Sequence, residues 1–219
     1  MSRHKLIINR TLFDTIVHVK VGKDAKVFAL HRGLLCDSSA YFRVAFEGNF
    51  IEAQEQALLL PEDDVEVYEL FQFWLYSGKL LDTGESIADL KPGLLVDLYI
   101  FAETRCILQL QDLTMDALIN HVHETQMFPI GKISYVYGST TETSPLRRLF
   151  VDVFALRGEE SWISEEKSYL SNRTSVIDLV RAFYNMRSTK ESVLDFAGTG
   201  CKYHAHTEAE GCYISQKKR

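Results

Sequence analysis

The sequence predicts an α+β fold: a small sheet with a cluster of helices, followed by an all-helical C-terminal extension. Three observations predict it. Residues 15–22, TIVHVKVG, alternate with the period of a strand, Ile16, His18 and Lys20 on one face and Val17, Val19 and Val21 on the other. From Leu34 onward apolar residues recur at three-and-four spacing, which lines one face of a helix. After about Glu124 only stripes of that helical kind recur.

The elements follow in order. Gly22-Lys23-Asp24 is a turn, and Lys26 to His31 is a second strand, so the pair forms a hairpin. Leu34, Leu35, Ser38, Tyr41, Phe42, Ala45 and Phe46 predict two short helices, with Ser38 or Ser39 as the cap of the second. Ala57 to Leu60, ended by Pro61, is a third strand. Asp63 or Asp64 caps a helix running to Tyr76, with Val67, Leu70, Phe71, Trp74 and Leu75 at helical spacing and Gly78 as its stop. Residues 79–92 read as a loop, 94–105 as a helix, and Leu110, Leu113, Ala117 and Leu118 mark another. Pro129 opens a helix through Tyr137, and residues 138–144 are a polar linker. Ser144 as cap and Pro145 at the first helical position start the stripe Leu146, Leu149, Phe150, Val153 and Phe154, ended by Gly158. Thr174 or Ser175 caps the last helix, whose apolar face is Val176, Leu179, Val180, Phe183 and Tyr184. These stripes are expected to pack on one another or on the preceding domain.

The totals narrow the function classes. The 219 residues suffice for one large domain, or for a mid-sized one with an extension. An apolar fraction of 46% and a charged fraction of 25% are those of a globular protein. Net charge is −6 and the pI about 5.7, whereas nucleic-acid modules carry basic patches, so direct nucleic-acid binding is not expected. No run reaches the roughly 18 apolar residues of a spanning helix, and the N-terminal stretch lacks a secretory signal. The expectation is an intracellular protein, cytoplasmic or nuclear, neither secreted nor membrane-bound. Cys36, Cys106, Cys201 and Cys212 then read as thiols or ligands rather than disulfides. Lys217-Lys218-Arg219 is a solvated tail or a localisation signal. No phosphate-binding loop, nucleotide fingerprint or nucleophile elbow occurs, and acid pairs such as Glu159-Glu160 and Glu165-Glu166 are helix-start or loop charges, so no enzyme is expected.

Between Phe13 and Leu80 a set of signature positions occurs in order: Asp14 before the first strand, Phe28-x-x-His31-Arg32, Leu34-Leu35, Ser39-x-Tyr41-Phe42, Phe46, Phe50-x-Glu52, Leu60-Pro61, and Trp74-Leu75-Tyr76-Ser77-Gly78 closing a helix. With these residues the stretch resembles a BTB (POZ) domain. Leu98 to Leu118 resembles the paired closing helices of that family. The resemblance implies an N-terminal arm over residues 1–11, a BTB/POZ domain over 12–121, a helical extension over 122–190, and a Cys/His-containing tail over 191–219. The extension and tail resemble those of BTB proteins of filamentous fungi. Phe28 and the Leu34-Leu35 pair would bury against the helix carrying Phe71, Trp74 and Leu75, each large side chain contributing about 1.5–3 kcal/mol. His31, where strand meets helix, reads as a hydrogen-bonded structural histidine.

The resemblance also implies function. BTB domains are protein-interaction modules, not enzymes. They self-associate, as homodimers or with other BTB chains, and they dock on cullin scaffolds as adaptors of ubiquitin ligases. The alternative is a BTB-dimerising nuclear or transcriptional regulator without its own DNA-reading module. For self-association, Asp14 and Arg32 match a buried charged pair at the twofold interface, or else form a local salt bridge. Leu6 and Ile8 in the N-terminal arm could add a strand to a partner's sheet edge. For cullin docking, the candidate contacts are Tyr68, Gln72, Tyr76, Leu80 and Leu81.

One stretch stands apart. Cys201, His204, His206 and Cys212 crowd four metal-type ligands into twelve residues. Zinc accepts two thiolates and two imidazoles, yet two histidines two residues apart point to opposite sides of a regular element. The stretch reads as one structural zinc site in an irregular loop or as a tail with coincidental ligands; no other cofactor is expected. His121 and His123, near the end of a helix, face apart and read as surface residues.

Overall fold

The computed structural model describes residues 10–13, 15–163, 170–189 and 203–205. The chain divides into two compact units. The first runs to Lys79 and includes Arg105–Ile107; the second comprises Leu80–Thr104 and continues from Leu108. The helices of 92–125, which the resemblance assigned to the BTB domain, thus cluster with the helices that follow them.

In the first unit, strands β1 (Ile16–Val21) and β2 (Lys26–His31) form the antiparallel hairpin, with Val19 opposite Phe28. Strand β3 (Ala57–Leu60) lies parallel to β1 on its other side, giving the order β2-β1-β3. The alternation read from the sequence holds: Val17, Val19 and Val21 are fully buried, while Ile16, His18 and Lys20 are exposed. Three short helices fill the connection between β2 and β3: α1 (Arg32–Ser38), α2 (Ala40–Glu47) and α3 (Ile51–Glu55). Ser39 caps α2, its hydroxyl oxygen accepting from the Phe42 N–H at 3.2 Å and donating to the Arg105 carbonyl at 2.6 Å. The third helix, α3, had no counterpart in the sequence reading.

Helix α4 (Val65–Ser77) is capped by Asp64, whose carboxylate accepts from the N–H groups of Glu66 and Val67. The neighbouring Asp63 pairs instead with Arg105. Gly78 ends the helix in the left-handed conformation at φ 68°. Its buried face supplies the core: Phe71 stacks on Phe42 at 5.7 Å, meets Tyr68 edge-on at 5.3 Å and lies 6.1 Å from Trp74, while Tyr68 contacts Phe28 at 4.7 Å.

The second unit is helical. Residues 79–92, expected as loop, contain one 3-10 turn, Ile87–Asp89, with a reciprocal capping box between Ser86 and Asp89. Helix α5 (Pro92–Thr104) is buried nearly all round, which is why its apolar residues run continuously instead of in a stripe. It pairs with α6 (Leu108–Thr125), which runs a full two turns past Leu118. Pro129 opens a 3-10 turn, and the following helix α7 starts only at Ile133 and reaches Ser139. Helix α8 (Pro145–Arg157) begins at the expected proline. Ser144 makes no cap with its side chain; its hydroxyl donates to Glu103 at 2.6 Å, and the same carboxylate accepts from the Thr141 N–H at 3.0 Å.

Helix α9 (Arg173–Thr189) departs from the sequence reading twice. Its cap is Asn172, whose side-chain oxygen accepts from the N–H groups of Thr174 and Ser175, two or three residues before the expected cap. And its apolar stripe does not pack inward as a whole. Leu179 is buried, but Val180 is 62% and Tyr184 72% exposed.

Candidate functional site

Among the described residues no group of three or more His, Cys, Asp or Glu side chains is placed to hold a metal, and no helix is long and apolar enough to cross a membrane.

In the first unit, α2 and α3 build an exposed apolar surface. Phe42 and Phe46 point into the core, which forces Tyr41 and Val44 outward on the opposite side of the same turns. The chain then reverses through Gly48. A β-carbon on Gly48 would collide with the Val44 carbonyl and press on the Phe50 ring at 3.1 Å, so a residue without a side chain is what allows the tight reversal. Helix α3 follows with no buried residue at all, although it opens on Phe50-Ile51. Val44 (57%), Phe50 (55%) and Ile51 (57%) are therefore large apolar groups left in water. Three such side chains within eight residues exceed the scattered exposure of an ordinary surface. In the sequence Phe50 is only a mark of resemblance. The available signal was an apolar pair just after a Gly-Asn turn in a helix too short to bury it.

The candidates for scaffold contact fare unequally. Tyr68 is fully buried between Phe28 and Phe71, and burial drives its phenol pKa upward, so it is a core residue and not a contact. Leu80, only 6% exposed, is corrected in the same way. Gln72 and Leu81 are half-buried, and Tyr76 is 46% exposed. The Tyr76 hydroxyl sits 2.9 Å from His31 Nδ1 and accepts the His31 backbone N–H at 3.2 Å. That gives His31 the hydrogen-bonded role read from the sequence, with Phe13 edge-on to its ring at 5.2 Å. Of the residues that carry the resemblance, Tyr41 and Tyr76 are surface residues and not part of the core, whereas Phe28, Leu35, Ser39, Phe42, Phe46 and Trp74 are buried and Leu34 is half-buried.

Of the self-association residues, Leu6, Ile8 and Asp14 lie outside the described residues. Arg32 lines a polar cleft of about 300 Å³ with Asp37, Arg43 and Glu47. Arg43 is engaged there, its guanidinium donating twice to the Cys36 carbonyl at 3.0 and 2.8 Å. A second groove, about 550 Å³, is acidic, with Glu62, Asp63, Asp64, Glu66 and Glu69 on its walls. Burial raises the Asp63 carboxyl pKa, and Arg105 opposes that shift.

In the second unit, His121 is fully buried, not a surface residue as its spacing suggested; its Nδ1 is 3.2 Å from the Thr125 hydroxyl, while His123 is exposed. Of the zinc set, Cys201, His206 and Cys212 lie outside the described residues. His204 is buried with its Nε2 2.8 Å from Asp116, so its ring could meet a metal only through Nδ1, an arrangement in which the carboxylate would orient the imidazole.

Residues 5–100 match the family model of the BTB/POZ domain, somewhat less than half of the chain. No curated protein matches the chain.

Proposed function

This chain carries a BTB/POZ domain, a protein–protein interaction module, and from that premise we propose that it works as an adaptor of a cullin-type ubiquitin ligase. The observation that carries the reading is the exposed apolar set Val44, Phe50 and Ile51, presented on two short helices directly ahead of β3. A large aromatic side chain left in water offers a partner much apolar area to bury, and aromatic residues dominate interface energetics. Gln72 and Tyr76 on α4 remain as further contacts. The helical second unit is then free to hold the protein presented to the ligase.

A second reading has its own support. The cleft beside Arg32 is polar and charged, and the exposed Phe13 (46%) and Ile16 (44%) belong to the elements that precede it in the chain. That combination suits self-association, and with it the nuclear regulator.

Affinity capture from cells expressing two differently tagged full-length copies separates the two. The adaptor reading expects a cullin and its RING subunit with the wild-type chain and at least tenfold less of both with Phe50→Ala/Ile51→Ala. Undiminished cullin capture by that variant would remove the proposed face. Capture of the other tagged copy alone, lost on Arg32→Ala, would replace the adaptor by the self-associating module.

A further inference from the structure

Tyr203, His204 and Ala205 lie against α6 and α8 of the same unit, and their polar atoms find partners in sequence order. The Tyr203 hydroxyl donates to Asp152 Oδ2 on α8 at 2.7 Å. His204 Nε2 lies 2.8 Å from Asp116 Oδ1 on α6. The Ala205 backbone N–H donates to Asp112 Oδ1, one turn earlier on α6, at 2.6 Å. Tyr203 is 1% and His204 5% exposed, and Asp112 is itself only 3% exposed.

Three consecutive residues thus present an aromatic hydroxyl, an imidazole N–H and a backbone N–H to three carboxylates. Hydrogen bonds to ionised acceptors are the stronger kind, and two aspartates one helical turn apart project from one face of α6. The buried tyrosine supplies the large rigid contact that anchors a recognised peptide. A backbone N–H among the three donors requires a peptide, not merely an aromatic side chain.

We infer that α6 and α8 form a peptide-recognition site, separate from the BTB docking surfaces, and that the chain occupies it in cis with its own Tyr203-His204-Ala205. The ligand class is a peptide segment with tyrosine followed by a residue bearing a side-chain N–H donor. Thirteen residues separate the end of α9 from Tyr203. Because this occupant belongs to the same chain, it competes intramolecularly, so the cis segment excludes weak competitors and yields to tighter ones. This site does not rest on the cullin reading; it stands or falls on the second unit alone.

The test uses the full-length chain and a fluorescently labelled peptide of residues 202–207, read by anisotropy. Tyr203→Ala/His204→Ala in the chain empties the site of its cis occupant. The peptide is expected to bind this variant at least tenfold more tightly than it binds the wild-type chain. Adding Asp116→Asn and Asp152→Asn should abolish that gain. Equal affinity for wild type and variant, no binding to a variant whose circular dichroism matches wild type, or a gain that survives the two Asn substitutions would each overturn the inference. Should the double variant not fold, Tyr203→Phe keeps the ring and loses only the hydroxyl donor. It should then raise peptide affinity by about tenfold, the worth of one hydrogen bond to a charged group; an unchanged affinity would overturn the inference equally.

Discussion

Among the described residues, the first unit buries the hydroxyls of Ser39 and Tyr68 and otherwise fills its interior with the apolar side of the sheet and the aromatic face of α4. The second unit buries Gln111, Asp112, Thr114, His121, Ser144, Arg147, Ser175 and His204. One interior is assembled by shape and hydrophobic burial. The other also depends on hydrogen bonds that must point in the right direction, because a buried polar group without a partner costs more than its bond contributes. The two units should therefore fail in different ways.

The sharpest test of the first interior is Phe71, fully buried among Phe42, Tyr68 and Trp74. Phe71→Ala should lower stability by about 3–5 kcal/mol in urea denaturation, through lost burial and the cavity left behind. Phe71→Leu should recover much of it, since volume is what the site requires. Full recovery by a polar residue of equal size would break the comparison.

In the second interior the matching position is Arg147. Its guanidinium donates to the Tyr137 carbonyl at 2.8 Å, to the Thr140 carbonyl and to the Thr140 hydroxyl, and it lies 4.6 Å over the Tyr137 ring. Arg147→Met keeps the stem and removes the donors, so the cost should be about 1.5–3 kcal/mol. Here the conservative change does not rescue: a lysine ammonium lacks the planar fork that spans several acceptors. Thermal melts in which Arg147→Lys matches wild type would show that direction matters less than the geometry implies.

The smallest effect concerns Cys36. Burial, with a contribution from Glu47, pushes its thiol from 9.0 up to about 11. The folded chain therefore holds this proton more tightly than the unfolded chain. Its contribution to stability is complete below pH 9.0 and is lost as pH rises through about 11. Unfolding midpoints should show that decline in wild type and not in Cys36→Val. At pH 8 the exposed Cys106 should be alkylated before Cys36, read by peptide mass spectrometry. Equal alkylation rates would mean that the first interior is wetter than its apolar composition implies.

Much of the first unit was legible. The alternation of residues 15–22, the stop at Gly78 and the buried Phe28, Leu35 and Phe42 are consequences of local chemistry and periodicity, which also narrowed the two caps to Ser38 or Ser39 and to Asp63 or Asp64; the fold selected Ser39 and Asp64. The candidate site was less so. Tyr68 sits at a helical position that periodicity leaves open to either side, and the aromatic neighbours that bury it come from β2 and from elsewhere on α4. Phe50 and Ile51 are apolar in a segment too short for a period, so only the absence of anything beside them marks them as surface. The α9 stripe teaches the same lesson in reverse: its spacing is that of a packed face, and most of it is exposed.

Dihedral preference, capping and hydrophobic period act over a few residues, so the order and type of most elements and the faces of the strands can be read from the chain alone. Which carboxylates receive Tyr203, His204 and Ala205, that His121 is interior and that Phe50 is exposed emerge with the fold. Those outcomes depend on groups as far apart as His204 and Asp116, 88 positions along the chain, and no local rule couples residues across such a distance until the fold brings them together.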